Sequence, residues 1–142
     1  MTEMAEKIQH LEEFLSNTPL GTEPRERCLN RLAMWYQSKF HRTNDILDIE
    51  ESIKYSWLTL GATHSSDPWR YIPLASLRNM LDLAFEKSRE ISYLNESITI
   101  SYDILKLKSA QPFYFPVTWK LVQSLRTREE LLGRREDLHE AI

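Results

Sequence analysis

The side chains able to do chemistry in this chain are few, and their spacing works against them. Cysteine and histidine catalysis needs a thiolate beside an imidazole. The only cysteine, Cys28, lies 13 residues before His41 in one helical pattern; at 1.5 Å per residue that separates them by about 20 Å, too far to share a proton. His10, His41, His64 and His139 contain no His-x3-His pair and have no cysteine partner, so no zinc set is expected, and all four read as surface residues. Glu12-Glu13, Asp48-Glu50-Glu51 and Glu129-Glu130 could in principle pair for acid-base work, but adjacent acids on a polar helix face are ordinary solvated charge. Gly21, Gly61 and Gly133 are the only glycines and form no phosphate loop. The chain is therefore expected to be no enzyme and to carry no cofactor and no metal. Trp35, Trp57, Trp69 and Trp119 are read as core or helix-helix packing residues before ligand-stacking ones.

What positions these residues is a pattern written twice. Leu29, Leu32, Phe40, Ile49, Ser52, Ile53, Ser56 and Leu60 recur as Leu74, Leu77, Phe85, Leu94, Ser97, Ile98, Ser101 and Leu105. The offset from 29 to 74, and throughout, is 45 residues. A fixed period of roughly 20–50 residues is the mark of a repeat array. Each period holds two helical patterns, so the expectation is a solenoid of helical hairpins. Three glycines and six prolines in 142 residues are too few for a many-turned β fold.

Taken in order, Met4, Ile8, Leu11 and Leu15 share one helical face between Glu3 and Ser16 and lie one period before Ile49, Ile53, Ser56 and Leu60. The chain thus opens on the second helix of a unit. Asn17 to Pro24 breaks that helix with turn formers. A helix from Arg25 to Arg42 carries the stripe Leu29, Leu32, Ala33, Tyr36 and Phe40, widened by Met34 and Trp35. After Thr43-Asn44, with Asp45 or Asp48 as cap, a helix from about Leu47 to Leu60 should bury Ile49, Ile53, Ser56, Trp57 and Leu60 and end at Gly61. Helices Trp69 to Lys87 and Ser92 to Lys108 form the second copy, with Pro73 in the first turns of the former. There Arg78 replaces Ala33, which predicts a looser or solvent-facing contact. A helix from about Val117 to Leu132 follows, with Leu121, Val122, Leu125 and Leu132 as its stripe, and Gly133 is expected to turn the chain into a further second helix holding Leu138 and Ile142.

The blocks Leu29-Asn30-Arg31-Leu32-Ala33, Lys39-Phe40-His41-Arg42-Thr43-Asn44 and Asp48-Ile49-Glu50-Glu51-Ser52-Ile53 resemble the tetratricopeptide repeat, in the long-period variety of large fungal arrays. That variety reads approximately L-x-N-L-G, R-F-x-x-T-G and D-L-x-x-A-I and closes on T-P. Gly133 with Glu136-Asp137-Leu138-His139-Glu140-Ala141-Ile142 matches the last two blocks, and Thr18-Pro19 matches the close. Departures are Arg78 in the first helix, Ser52 and Ser97 for the buried alanine of the second, and Glu129 for the phenylalanine of the third unit.

The resemblance implies an all-α, TPR-like right-handed α-solenoid of about seven helices, divided as residues 1–18, 24–61, 69–108 and 115–142, with the outer two units incomplete. It also implies that first helices line a concave groove. Asn30, Met34 and Gln37, then Ala75, Asn79 and Asp82, then Trp119, Gln123 and Arg126 would face it. That mixture suits an extended peptide or a helix of a protein partner. The alternative is a structural fragment, or the sensing arm of a larger repeat protein with a CHAT-type protease or nucleotide-binding domain. Incomplete ends then predict self-association through Leu138 and Ile142.

Composition adds exclusions. A net charge of −3 offers no basic footprint for nucleic acid or an anionic membrane. The acidic N-terminus is no signal peptide, no run reaches the ~18 apolar residues of a membrane span, and a lone cysteine cannot form an internal disulfide. A cytoplasmic protein is expected.

Overall fold

A computed structural model describes residues 3–19, 23–62, 70–107 and 114–140, and side chains for 3–19, 24–62, 70–107 and 114–133. Six helices account for almost all of them, with no strand among the described residues: α1 (Glu3–Ser16), α2 (Glu23–Thr43), α3 (Ile46–Ala62), α4 (Tyr71–Ser88), α5 (Ile91–Leu105) and α6 (Tyr114–Glu140). Each helix packs on the one before it and the one after it.

The helix ends are specified locally. Glu3 and Glu6 place negative charge in the first turn of α1, where the helix dipole favours it. At its other end Ser16 Oγ, Asn17 Nδ2 and Thr18 Oγ1 donate to the carbonyls of Glu12, Glu13 and Phe14 at 3.0, 2.9 and 2.6 Å. They add side-chain donors to the last turn of the helix, where backbone donors run out. Asn44 follows α2 with φ 56° and Arg89 follows α4 with φ 60°; their amides donate to Phe40 O and Phe85 O at 2.7 and 2.8 Å, closing both helices through a left-handed residue. One residue on, the amides of Asp45 and Glu90 donate to Thr43 Oγ1 and Ser88 Oγ, each at 3.2 Å. Of the two cap candidates for α3, Asp45 is the one used, its Oδ1 accepting the Leu47 amide at 3.0 Å.

The same 45-residue register governs burial. Leu29 and Leu74, Leu32 and Leu77, Phe40 and Phe85, Ile49 and Leu94, Ile53 and Ile98, and the serine pairs Ser52 and Ser97, Ser56 and Ser101, are all buried. Met4 and Ile8 of α1 are buried one period before Ile49 and Ile53. The core is divided into successive clusters: one joins α1 and α2 with Tyr55, a larger one runs from Phe40 to Val117, and a third joins Phe85, Leu94, Ile98 and Leu121.

Four expectations change. Gly61 lies inside α3, which runs to Ala62. Gly133 lies inside α6, which is continuous from Tyr114 to Glu140, so six helices form among the described residues where about seven were expected. Both glycines sit among good helix formers, and one glycine costs a helix only about 1 kcal/mol. Trp57 stands on the outer side of α3 and is 43% exposed, while Tyr55 takes the buried place. In α6, Leu121 and the unforeseen Val117 are buried, whereas Val122 and Leu132 are exposed, because α5 covers only one side of that helix. Trp69 lies outside the described residues, as do the side chains of Leu138 and Ile142. The described part of α4 starts at Tyr71, leaving Pro73 in the first turn, where its missing N–H is tolerated.

Arg78 is the least comfortable residue of the register. In the first copy Ala33 is buried and its carbonyl accepts Ser52 Oγ at 2.9 Å. Arg78 at the same place is half-buried: its Nε and Nη1 are buried with no hydrogen-bond partner, and only Nη2 donates, at the surface, to Asn79 Oδ1 at 3.3 Å.

Candidate partner-binding surface

The nine positions that register assigns to a groove lie on α2, α4 and α6. Asn30 and Gln37 are half-buried on α2, and Met34 between them is 57% exposed. Asn30 Nδ2 lies 4.0 Å from Met34 Sδ. On α4, Ala75 and Asp82 are half-buried and Asn79 is exposed. On α6, Gln123 and Arg126 are exposed and Trp119 is 57% exposed.

Hydrogen bonds and cavities show which of these come together. Ser76 Oγ donates to Gln37 Oε1 at 3.2 Å, tying α4 directly to α2. Asp82 and Gln123 line one cavity of about 310 Å³ with Lys120 and Phe85. Ser97 Oγ donates to the Asp82 carboxylate in a short bond. Burial pushes the Asp82 carboxyl up from its ordinary value, against the pull of that bond and of the Arg78 and Lys120 charges. Met34 opens elsewhere, toward α1, into a cavity of about 570 Å³ lined also by Lys7, His10, Arg31 and Trp35. The Lys7 ammonium stands 4.9 Å from the Trp35 ring centroid, a cation-π contact.

The sequence pattern places Trp35 in the apolar stripe and does not set Lys7, Arg31 or Lys120 apart. The available signal was the period itself, since Lys7 falls one period before Ser52, a buried position. Of the described tryptophans, Trp57 and Trp119 are exposed and Trp35 is half-buried, packed against the α1–α2 core.

The remaining reactive groups are engaged in structure. Cys28 is buried, its Sγ donates to Leu11 O at 3.1 Å, and burial pushes its thiol up despite the charges of Arg25 and Arg31. Asp48 is buried, accepts Thr43 Oγ1 at 2.6 Å and pairs with Lys39 Nζ at 3.2 Å, so it locks the α2–α3 turn. His10 and His41 are exposed, and His64 and the side chain of His139 lie outside the described residues. Among the described residues no group of three or more His, Cys, Asp or Glu side chains is placed to hold a metal ion. No described helix is long and apolar enough to cross a membrane.

Comparison of the chain with protein-family models, with curated proteins and with solved structures finds no match to any of them.

Proposed function

We propose that this chain is a protein-interaction module: a TPR-like α-solenoid whose first helices, α2, α4 and α6, present a face that holds a peptide or helix of a partner, with no chemistry of its own. The recurrence of caps, turn bonds and buried positions every 45 residues supports the repeat reading. The observation that carries the binding reading is the exposure of Met34 and Trp119, each 57%, at positions the register assigns to one face. Large apolar side chains left in water beside polar neighbours such as Asn79, Gln123 and Arg126 have the composition of a recognition surface, apolar anchors with a polar surround.

The test is capture by the whole chain from an extract, compared with Trp119→Ala and Asn79→Ala. Both side chains are exposed, so melting temperature should stay within a few degrees. A specific partner held by the native chain should be lost or weakened about tenfold or more in Trp119→Ala, since interface aromatics carry a disproportionate share of affinity. If neither variant alters what is captured, the groove reading fails.

A further inference from the structure

The α1–α2 end of the molecule carries a second surface, and the period says what shape it is built to hold. On α3 the stripe Ser52, Tyr55, Ser56 and Thr59 is buried. It faces α2: Ser52 Oγ donates to Ala33 O at 2.9 Å, and Tyr55 stacks on Tyr36 with centroids 5.8 Å apart. On α5 the same stripe, Ser97, Ile100, Ser101 and Ile104, is buried as well, and Ser97 bonds Asp82 of α4. Each second helix therefore seats its predecessor on this stripe. One period earlier the stripe is Lys7, His10, Leu11 and Phe14 on α1. Here it is open: Lys7 and His10 are exposed, Phe14 is 48% exposed and only Leu11 is half-buried.

The facing side of α2 repeats the same relationship. Arg31 and Trp35 lie one period before Ser76 and Met80. Ser76 of α4 is bonded to Gln37 of α2, and Met80 is buried. Between the two open stripes lie cavities of about 570 and 330 Å³ that share Leu11 and Arg31. They form one trough from Pro24 to Ser38 along α2, about 21 Å at helical rise, which is the length of a helix of some 14 residues.

Charge selects the occupant. Positions that elsewhere carry Ser52, Tyr55 and Ser76 here carry Lys7, His10 and Arg31, and Arg27 adds a further cation. Among the described residues no carboxylate lines either cavity. Lys7 pairs with Glu3 at 3.5 Å with both side chains open to water. A second copy of this chain is a poor occupant, because α6, its partly bare helix, carries Lys120, Arg126, Arg128, Arg134 and Arg135 against Glu129, Glu130, Glu136, Asp137 and Glu140 and so has no net negative charge to offer. We propose that the trough between α1 and α2 docks an acidic amphipathic helix of a partner protein, its apolar side on Leu11, Phe14, Met34 and Trp35 and its carboxylates against Lys7 and Arg31. The trough shares Met34 with the α2, α4 and α6 face, and its other lining residues lie outside the nine positions of that face.

The probe is a labelled synthetic helix of about 14 residues with leucines at i, i+3, i+4 and i+7 and glutamates flanking them, titrated by anisotropy into the whole chain. Saturable binding is expected, weakening as salt rises. Reversing both cations in Lys7→Glu with Arg31→Glu should weaken it about tenfold or more, and neutralising them in Lys7→Gln with Arg31→Gln about threefold. Lys106→Glu, a single charge reversal beyond the end of α5, should leave it unaltered. A leucine helix with lysines for glutamates must bind worse than the acidic one. Absent binding of the acidic helix, equal binding of the two helices, or binding indifferent to both cation variants overturns the proposal. So does sedimentation showing that the chain self-associates through this trough and that Lys7→Glu with Arg31→Glu dissolves the assembly, since the seat then belongs to a second copy.

Discussion

Arg70 donates from Nη1 to the Leu60 carbonyl at 2.9 Å, pinning the start of α4 to the end of α3. Arg25 does the same to Leu15, also at 2.9 Å, between α2 and α1. A guanidinium at a helix C-terminus donates to one of the last carbonyls and meets the negative end of the helix dipole. Each bond fixes the angle between successive hairpins. Arg25→Met and Arg70→Met should each destabilise the chain by about 1–3 kcal/mol, as expected for a hydrogen bond from a charged donor. Urea unfolding checks this. The third junction lacks the arginine and uses Tyr114, whose hydroxyl donates to Leu107 O at 2.5 Å.

Arg78 should be a stabilising site to mutate. Its Nε and Nη1 are buried without partners, and such donors cost about 1–3 kcal/mol in lost hydration. Arg78→Met keeps most of the side-chain volume and removes the donors, so an increase of about 1 kcal/mol or more in unfolding free energy is expected. A decrease would mean that its attraction to Asp82 outweighs that penalty.

Asp82 gives stability a pH slope of definite sign. Burial raises its folded pKa above the ordinary 3.8, so the folded state holds the proton over a window in which the unfolded state has released it. Stability therefore falls as pH rises through that window. Asp82→Asn, which can still accept from Ser97, should remove this part of the slope and leave the chain equally or more stable at neutral pH, by up to about 1 kcal/mol. Thermal melts from pH 4 to 7 read the difference.

At high pH the tyrosines of the α1–α2–α3 cluster set the limit. Burial pushes Tyr55 up to about 12, helped by the charges of Glu12 and Glu51. Tyr36 is pushed up by burial and by its 2.6 Å bond to Glu12 Oε1. Their folded pKa values lie above the unfolded 10.0, so the stability they contribute is complete below pH 10 and is lost as pH rises through about 12. Alkaline unfolding should coincide with tyrosinate absorbance, and Tyr36→Phe should cost about 1–2 kcal/mol at neutral pH through its bond to a carboxylate.

Cys28 should be chemically quiet in the folded chain. It is buried with its thiol pushed up, and only the thiolate reacts. A thiol reagent at pH 8 should label the native chain on the order of 100-fold more slowly than the urea-unfolded chain, with opening of α1 from α2 as the gate.

Much of this architecture was legible in the residues. The pairs Phe40 and Phe85, Ile53 and Ile98, Ser52 and Ser97 share burial because apolar spacing at 3.6 residues fixes which face of a helix turns inward. Asn44 and Arg89 share a left-handed cap although one is arginine, so there the register outweighed residue preference. The open trough was less visible, since Lys7 and His10 look like ordinary surface residues until their counterparts Ser52 and Tyr55 are seen buried.

By itself the sequence determined an all-helical chain, its 45-residue period and the inward positions of each period, all of them consequences of local spacing and capping. Only the tertiary structure decided that Trp57 and Val122 stand in water, that α6 runs on through Gly133, and that Arg78 is folded in with its Nε and Nη1 unpartnered. The reason is physical: periodicity says which side of a helix is apolar, but whether that side is covered depends on a neighbouring helix supplied by residues far away in the chain.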